Sequence, residues 1–230
     1  MPHGAPFAFA RVLKLAGKID SMPAQKSTKR PSVVSPPTQN RSQVAWRRIL
    51  DAGRSLLEAG GSDALTISAV CAEASVAPTA IYARVSGLTD LFWAIYEDSM
   101  HEIIKTYETG LQKAAKKPVG SKERVAAVVT AVTDTFENHA KFLRAVIRVS
   151  LSDENMKNRG SDYLLDFAHQ VADLLDPSDS VAGSDVARML EQESILRTMY
   201  GGAWMSDKPE SYALFQQRLN RMALSRLSIR

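Results

Sequence analysis

Residues 66–85, TISAVCAEASVAPTAIYARV, are the stretch from which the rest of the chain can be interpreted. Apolar residues recur at i, i+3, i+4 and i+7 from Ile67 to Ala74, the spacing of one face of a helix. Thr66 precedes that face and can cap the helix through its hydroxyl. Pro78 stands where a second helix tolerates proline, at its first residue. The stretch therefore predicts two short helices joined by a turn at residues 75–77.

Two short helices joined by such a turn form the helix-turn-helix unit, whose second helix fits the major groove of DNA. Ile81 and Val85 fall on the apolar side of that second helix. Its exposed residues are then expected to be Thr79, Tyr82, Ala83 and Arg84. Because any all-helical protein contains short helices joined by tight turns, this stretch alone leaves DNA binding open.

The flanking segments are also helical. Ser42 to Ala59 has an apolar face, and Gly60-Gly61 follows it as glycine follows a helix end. Arg41, Arg47 and Arg48 lie at the beginning of this helix, where they either reach a DNA backbone or solvate the surface. A long helix is predicted over roughly residues 88–115.

The net charge of +4 is placed unevenly. Residues 1–42 hold seven Lys/Arg and one Asp, whereas residues 43–91 and 92–230 each sum to −1. A basic segment ahead of a helix-turn-helix suits phosphate contact, although a solvated tail has the same composition. Residues 1–40 are also rich in Pro and Ser, so they are expected to be a largely disordered extension. Whether residues 1–21 belong to the native protein stays open, because Met22 is an alternative start.

About 50 of the 230 residues resemble the N-terminal domain of TetR-family transcriptional regulators. They are the segment RRILDAGRSLLEAGGSDALTISAVCAEASVAPTAIYARVSGLTDLFWAIYE. The matching elements are an Ile-Leu-x-Ala helix at 49–52, Gly60, Leu65-Thr66, Tyr82 and Leu91-Phe92.

The resemblance implies an all-α fold. A three-helix DNA-binding domain at 41–91, with its helix-turn-helix at about 66–85, would precede a helical-bundle effector-binding and dimerisation domain at 92–230. Thr66 and Tyr82 would meet phosphates, and Arg84 would lie near the groove or the backbone. The residues that would face base edges are Ala77, Pro78, Thr79 and Ala83. The complete predicted DNA-binding set is Arg41, Arg47, Thr66, Ala77, Pro78, Thr79, Tyr82, Ala83 and Arg84.

Three positions depart from the family pattern. Ser75 stands where the turn usually has Gly, which accepts positive φ without steric cost. Val85 ends the recognition helix where an aromatic residue is common. Leu88 replaces a Lys that reaches phosphate, so the basic extension is expected to compensate for this lost contact.

The second domain has the periodicity of five further helices after the long connector. They are predicted at residues 122–139, 142–151, 158 or 161 to 175, 184–200 and 209–225. The last two resemble the pair that forms a four-helix dimer interface in this family; an ordinary core helix is the alternative for the last one. The predicted interface is Met189, Leu196, Tyr200, Tyr212, Phe215, Leu219 and Met222.

An effector pocket in such a bundle should be mostly apolar, with a few polar groups that orient the ligand. Each candidate side chain is also a plausible core residue. The candidates are Trp93, Tyr96, Met100, Tyr107, Phe136, Phe142, Arg144, Phe167, His169, Glu193, Met199 and Trp204.

The expected function is that of a sequence-specific transcriptional regulator, a repressor that a small-molecule effector releases from a palindromic operator. Its expected partners are double-stranded DNA, a second copy of the chain and a partly apolar effector. The alternative is an all-helical dimeric interaction protein with a degenerate DNA-binding domain, and activation rather than repression is not excluded.

The sequence has no phosphate loop, nucleophile elbow or HExxH motif, so we expect no enzyme. We also expect no cofactor and no metal site, because its histidines lack metal-ligand spacing. No apolar run approaches the roughly 20 residues of a membrane span, and the single cysteine, Cys71, fits a reducing compartment. A cytoplasmic protein is therefore expected. Cys71 shares a face with Ile67 and Ala74, which favours a buried residue over a redox sensor.

Overall fold

The structure, a computed structural model, describes residues 40–175, 180–204 and 207–229, without the side chains of Asn40, Arg41 and Ser180. Residues 1–39 of the predicted extension lie outside these ranges. The described residues are helical, with no strand among them. The helices are α1 (Asn40–Gly60), α2 (Ile67–Ala74), α3 (Pro78–Tyr82), α4 (Leu88–Ala115), α5 (Lys122–Asn138), α6 (Ala140–Ser150), α7 (Glu154–Leu175), α8 (Ser180–Tyr200) and α9 (Tyr212–Arg226), with a 3₁₀ turn at Gly61–Ala64.

Helices α1–α3 form a small three-helix unit, residues 40–87, which we call the head. Ile49 and Leu57 of α1, Val70 of α2 and Ile81 of α3 are almost fully buried, so one apolar cluster holds the three helices together. The predicted cap is confirmed: the Thr66 hydroxyl accepts a hydrogen bond from the amide of Ala69 at 3.1 Å.

The turn between α2 and α3 is a Schellman motif built on a serine. The amide of Val76 donates to the carbonyl of Cys71 at 3.0 Å, and the amide of Ser75 donates to the carbonyl of Ala72 at 3.3 Å. Ser75 itself is left-handed, with φ 53° and ψ 51°. The departure noted in the sequence therefore places a side chain where glycine is normally favoured. Pro78 opens α3, as predicted, but α3 ends at Tyr82 rather than near Val85.

Helices α4–α9, residues 88–229, form the second part of the molecule, which we call the body. Its six helices agree with the number predicted, counting the connector. Helix α4, 28 residues long, leaves the head and packs along α5. The two backbones approach closely, since a Cβ built on Gly110 would lie 2.7 Å from the Cβ of Ala131. Helices α7 and α8 pair beside them, and α9 packs on α5 and α8.

Three helix starts differ from the prediction, and a capping side chain accounts for two of them. Helix α7 begins at Glu154, because Asp153 caps it by accepting from the amide of Met156 at 3.0 Å. Helix α8 begins at Ser180, four residues early. Helix α9 begins at Tyr212, because the hydroxyl of Ser211 accepts from the amide of Leu214 at 3.3 Å. Among the described residues, no helix is long and apolar enough to cross a membrane.

Candidate nucleic-acid interface and effector site

Helix α3 and the two residues that flank it expose five of the nine predicted DNA-contacting residues. Thr79, Tyr82 and Ala83 are exposed at i, i+3 and i+4 spacing, and the side chain of Tyr82 is 56% exposed although it is aromatic. Ala77 and Pro78 are exposed at the start of the helix. Thr66 is exposed at the start of α2 while its hydroxyl caps that helix. The head thus presents a small polar and aromatic surface on a fixed backbone.

Arg84 does not belong to that surface, and the prediction that it is exposed is wrong. Only 7% of the residue is exposed. Its Nη2 donates to the carbonyl and the hydroxyl of Ser42, at 2.9 and 2.6 Å, and its guanidinium lies 5.2 Å from the ring centroid of Trp46. Burial lowers the pKa of Arg84. This arginine therefore ties the end of the helix-turn-helix to α1 inside the head.

Arg47 lies on the side of α1 that faces the body. Its guanidinium contacts Asp51 at 2.8 Å, Asp98 at 2.9 Å and Glu102 at 3.4 Å. The hydrogen bond with Asp51 raises the pKa of Arg47, so the arginine is held firmly in its charged form. Two of these carboxylates belong to α4, which makes Arg47 a contact between head and body.

Arg54, two turns further along α1, also connects the head to the body, and its side chain is more buried than that of Arg47. It pairs with Glu58 at 2.9 Å and with Glu102, and its guanidinium lies 5.6 Å from the ring centroid of Phe142 in α6. Its Nη2 also lies 3.2 Å from Nδ1 of His139, the residue between α5 and α6. One arginine of the head thus reaches three parts of the body.

The hydrogen bonds around His139 assign its protonation. The Thr106 hydroxyl donates to the carbonyl of Glu102 at 3.0 Å, so its oxygen accepts from Nε2–H of His139, 3.3 Å away. Nδ1 is then free of a proton and accepts from Arg54. Burial, and then the nearby charge of Arg54, lower the pKa of His139. The neutral imidazole is therefore the form that joins Arg54 to α4.

The described surface of the head is poor in available cations. Arg47 and Arg54 face carboxylates and Arg84 is buried, whereas Arg48 is exposed. The predicted side-chain contact of Arg41 lies outside the described residues. Phosphate contacts made by the described part of the head would therefore rely largely on neutral donors and Arg48.

The candidate effector residues divide between the core and the surface of the body. Tyr96, Met100, Tyr107, Phe136, Phe142 and Phe167 are buried; Trp93, Arg144, Glu193 and Met199 are partly buried; His169 and Trp204 are exposed. Tyr107 and Phe167 stack with ring centroids 4.0 Å apart, and the Tyr107 hydroxyl donates to the carbonyl of Phe167 at 3.1 Å. Burial raises the pKa of Tyr107 well above its ordinary value.

The remaining polar candidates are occupied by other contacts. Arg144 donates to the carbonyl of Thr198 at 2.7 Å, which fastens α6 to α8. Glu193 pairs with Arg218 at 3.0 Å. Trp204 stacks on Tyr200, with ring centroids 4.1 Å apart.

The predicted interface residues are also divided. Phe215 and Leu219 are buried within the chain, and the Tyr212 hydroxyl donates to Asp134 in α5. Leu196, Tyr200 and Met222 are exposed, by 38%, 54% and 41%. Between α8 and α9 lies an open groove of about 820 Å³, lined by Asp185, Val186, Met189, Arg221, Met222, Ser225, Arg226 and Ser228. The exposed face of α8 and α9 is thus apolar in part and grooved.

Glu191 is a polar residue of the interior that the sequence interpretation missed. It is 7% exposed, and its Oε1 has no hydrogen-bond partner among the described residues. The signal was present, because Ala187, Leu190 and Ser194 mark the inward face of α8 at helical spacing and Glu191 falls on it. Cys71, by contrast, is buried as predicted, at 9% exposure. No cluster of three or more metal-ligating side chains occurs within the described ranges.

Comparisons with known proteins agree with this architecture. Residues 49–95 match the model of the bacterial regulatory proteins of the tetR family. No protein with a curated description matches the chain. A TetR-like transcriptional regulator from Rhodococcus sp. RHA1 has a TM-score of 0.61 at 15% identity, over 81% of this chain and 97% of that one. A TetR-family regulator from Streptomyces coelicolor has a TM-score of 0.61 at 20% identity, over 80% and 89%.

A third solved structure, a TetR-family regulator from Mesorhizobium loti, gives a TM-score of 0.63 at 14% identity, over 83% of this chain and 98% of that one. These structures share the fold of head and body together, and the family model covers the helix-turn-helix of the head. Within the chain, residues 49–95 thus match the bacterial regulatory proteins of the tetR family, and the described helices share the fold of these solved TetR-family structures.

Proposed function

We propose that this regulator binds a palindromic operator as a homodimer and represses transcription until a small-molecule effector releases it. The DNA-binding domain is residues 41–91, and residues 92–230 bind the effector and dimerise. The observation that carries the proposal is the exposed face of α3, where a half-exposed tyrosine stands on a backbone fixed by a capped helix and a Schellman turn. An exposed, rigidly held aromatic residue stabilises no core, so it is available for a partner.

Base recognition in this proposal rests on Ala77, Pro78, Thr79 and Ala83, with Thr66 and Tyr82 on phosphates. Small side chains on a short helix let its backbone approach the base edges closely. Arg84 is assigned to the packing of the head, because its guanidinium is engaged with Ser42 and Trp46.

Most of the charge for phosphate binding is assigned to residues 1–42, which hold seven Lys/Arg. The described head supports this assignment, because Arg47 and Arg54 face carboxylates and Arg84 is buried. Each phosphate contact contributes a slope of about −0.9 to the dependence of log K on log salt. Deleting residues 1–38, which hold six Lys/Arg, should therefore flatten that slope by up to about 5, whereas Arg48→Ala should flatten it by about 1.

Dimerisation is assigned to the outer face of α8 and α9, with the partly buried Met189 and the exposed Leu196, Tyr200 and Met222 as the contacts. These side chains give the face an apolar part that a second copy would cover. A two-fold pair can then place its recognition helices about 34–36 Å apart, one turn of DNA. Sedimentation of the full chain tests this assignment: Leu196→Glu should dissociate the dimer, and a wild-type monomer would contradict it.

The effector is assigned to the interior of the body, near Tyr107 and Phe167. Its binding can change DNA affinity only if it favours one of two arrangements of head and body. The contacts of Arg47 and Arg54 with α4 and of Arg54 with His139 join the two parts, so they are the ones that such a change would strain. The protein would work in the cytoplasm, without an enzymatic activity or a cofactor.

The decisive experiment is selection of duplexes from a random library by the full chain, followed by fluorescence anisotropy against the selected and a scrambled duplex. We expect a two-fold symmetric site, bound at least 100-fold tighter than the scrambled duplex. Tyr82→Ala should weaken binding about tenfold, the loss of roughly one hydrogen bond, without changing the melting temperature. The matched control is Leu165→Ala, a similarly exposed residue of α7, which should bind normally.

The alternative, a dimeric interaction protein with a degenerate head, is favoured by one observation, the scarcity of available cations on the described head. The same selection separates the two. A chain that enriches no sequence, and whose affinity is the same for every duplex, is the interaction protein.

A further inference from the structure

Five buried side-chain atoms of the body lack a hydrogen-bond partner among the described residues. Two are Nε of Arg159, whose Nη2 pairs with Glu97, and Oδ1 of Asn220. The other three are Oγ of Ser99 in α4, and Oε1 of Glu191 and Oγ of Ser194 in α8, whose residues are 1%, 7% and 2% exposed. Buried polar groups in native proteins are nearly always paired, so these three oxygens in one bundle call for an explanation.

The helix register brings these groups toward the same region. Helix α7 runs parallel to α4, because Arg159 pairs with Glu97 at 3.0 Å and Tyr107 reaches Phe167 further along. Helix α8, the next helix along the chain, packs antiparallel to α7, with Gly183 against Ala172.

Ser194 lies about three turns beyond Gly183 on α8, which is the level of the start of α7 and of Ser99 on α4. Glu191 lies one turn closer to the level of Tyr107, and the two ionisable groups interact electrostatically. By this register we infer that the oxygens of Ser99, Glu191 and Ser194 fall within about two turns of one another along the bundle, on a segment that we call the inward strip. Glu191 interacts with Tyr107, whose ring stacks on Phe167.

The charges around this strip compensate the Glu191 carboxyl only in part. Burial raises the pKa of Glu191 to about 8, and Arg188, on the same helix, lowers it only in part. Two cations of neighbouring helices are engaged elsewhere: Arg144 of α6 donates to a backbone carbonyl, and Arg218 of α9 pairs with Glu193 and Glu210. At neutral pH the Glu191 carboxyl is therefore mostly protonated and uncharged.

We propose that Glu191, flanked by Ser194 and Ser99, anchors the effector of this regulator, and that the effector is an organic amine: a protonated primary or secondary ammonium on an aromatic or apolar body. The assignment rests on the proposed function, since it names the ligand class of that effector site. The ammonium donates hydrogen bonds to the carboxylate and to the serine hydroxyls, while its body packs on Tyr107 and Phe167.

Binding is coupled to the release of one proton. The cation pairs with the carboxylate form, so Glu191 gives its proton to solvent as the ammonium enters. Since only the ionised fraction of Glu191 accepts the cation, the apparent affinity rises with pH up to about 8 and levels off above it. From pH 6 to pH 8 the ionised fraction, and with it the affinity, increases about 50-fold.

The test uses three probes of matched shape, 4-phenylbutylamine, 4-phenylbutanol and 4-phenylbutyrate, titrated into the full chain by calorimetry at pH 6, 7 and 8. We expect the amine to bind at least tenfold tighter than the alcohol at pH 8, and its affinity to rise about 50-fold from pH 6 to pH 8. Because binding releases a proton to the buffer, the measured heat should depend on the ionisation enthalpy of the buffer. Equal affinities, tighter binding of the carboxylate, or no binding of the amine would each overturn the assignment.

Glu191→Gln keeps the shape of the side chain and removes its charge, so it should abolish both the preference for the amine and the dependence on pH. Glu193→Gln is the matched control two residues along α8, because Glu193 pairs with Arg218; it should keep both. Selective DNA binding, measured on the same preparation, distinguishes failure of this inference from failure of the proposed function. Selective DNA binding without a preference for the amine rejects this inference alone, whereas amine binding without DNA selectivity rejects the proposed function.

Discussion

Replacing Ser75 by glycine should stabilise the protein. Ser75 is the left-handed residue of the Schellman turn between α2 and α3, at φ 53° and ψ 51°. A side chain in that conformation crowds the following carbonyl, whereas glycine adopts it freely. The substitution changes no contact that holds the turn, because both of its hydrogen bonds join backbone atoms.

The magnitude follows from two opposing terms. Relief of the left-handed conformation contributes about 1–2 kcal/mol. The greater freedom of glycine in the unfolded chain takes back about 0.5–1 kcal/mol. The net gain is about 0.5–1 kcal/mol, which for a chain of this length raises the melting temperature by about 1–4 °C.

Differential scanning calorimetry of the full chain, with urea unfolding alongside, measures the change. Ser75→Ala is the first control, since it removes the hydroxyl but keeps the Cβ, and it should leave the melting temperature nearly unchanged. Ala72→Gly, at an exposed position inside α2, is the second and should destabilise the protein by about 1 kcal/mol. A Ser75→Gly protein that melts with or below the wild type, while Ala72→Gly behaves as expected, would refute the reasoning.

Two other predictions concern the body and its junction with the head. Gly110→Ala should destabilise the chain by about 1–3 kcal/mol, because its Cβ would lie 3.1 Å from the backbone of Ala131; Gly160→Ala in α7, where a Cβ meets nothing within 4 Å, should instead stabilise it by about 0.5–1 kcal/mol. Thermal melts of the pair test this, and equal effects would contradict it. The pKa of His139 is lowered on folding, so the unfolded chain binds the proton more readily and stability should fall as pH drops below about 6.5. Urea titrations from pH 5 to 8 should show a shallower fall for His139→Gln; parallel curves would contradict the assignment of His139 as the neutral partner of Arg54.

Local rules predicted the elements of the head well. The cap at Thr66, the proline at the start of α3 and the packing of Cys71 depend on neighbours within one or two turns, and such neighbours can be read from spacing. The Thr79–Ala83 face followed from the same periodicity. The starts of α7 and α9 were missed by a few residues, because Asp153 and Ser211 are caps that compete with other polar residues nearby.

The contacts that could not be predicted join residues far apart in sequence. Arg84 finds Ser42 and Trp46 only once α1 has packed across the end of the helix-turn-helix. Arg47 meets Asp98, 51 residues away, for the same reason. Charged residues of this kind look alike in a sequence, whether they face solvent, a partner or each other.

The ionic junction between head and body makes this protein sensitive to salt independently of any contact with DNA. Arg47 and Glu102 are each about half exposed, so dissolved ions weaken their attraction over the same range of concentrations in which ions displace protein from nucleic acid. Added salt would therefore weaken the attachment of the head, which carries α3, to the body, and it would also weaken contacts of the head with phosphate. The number of phosphates inferred from a salt titration would then exceed the number actually touched, and the excess would disappear when Arg47 is replaced by a neutral side chain.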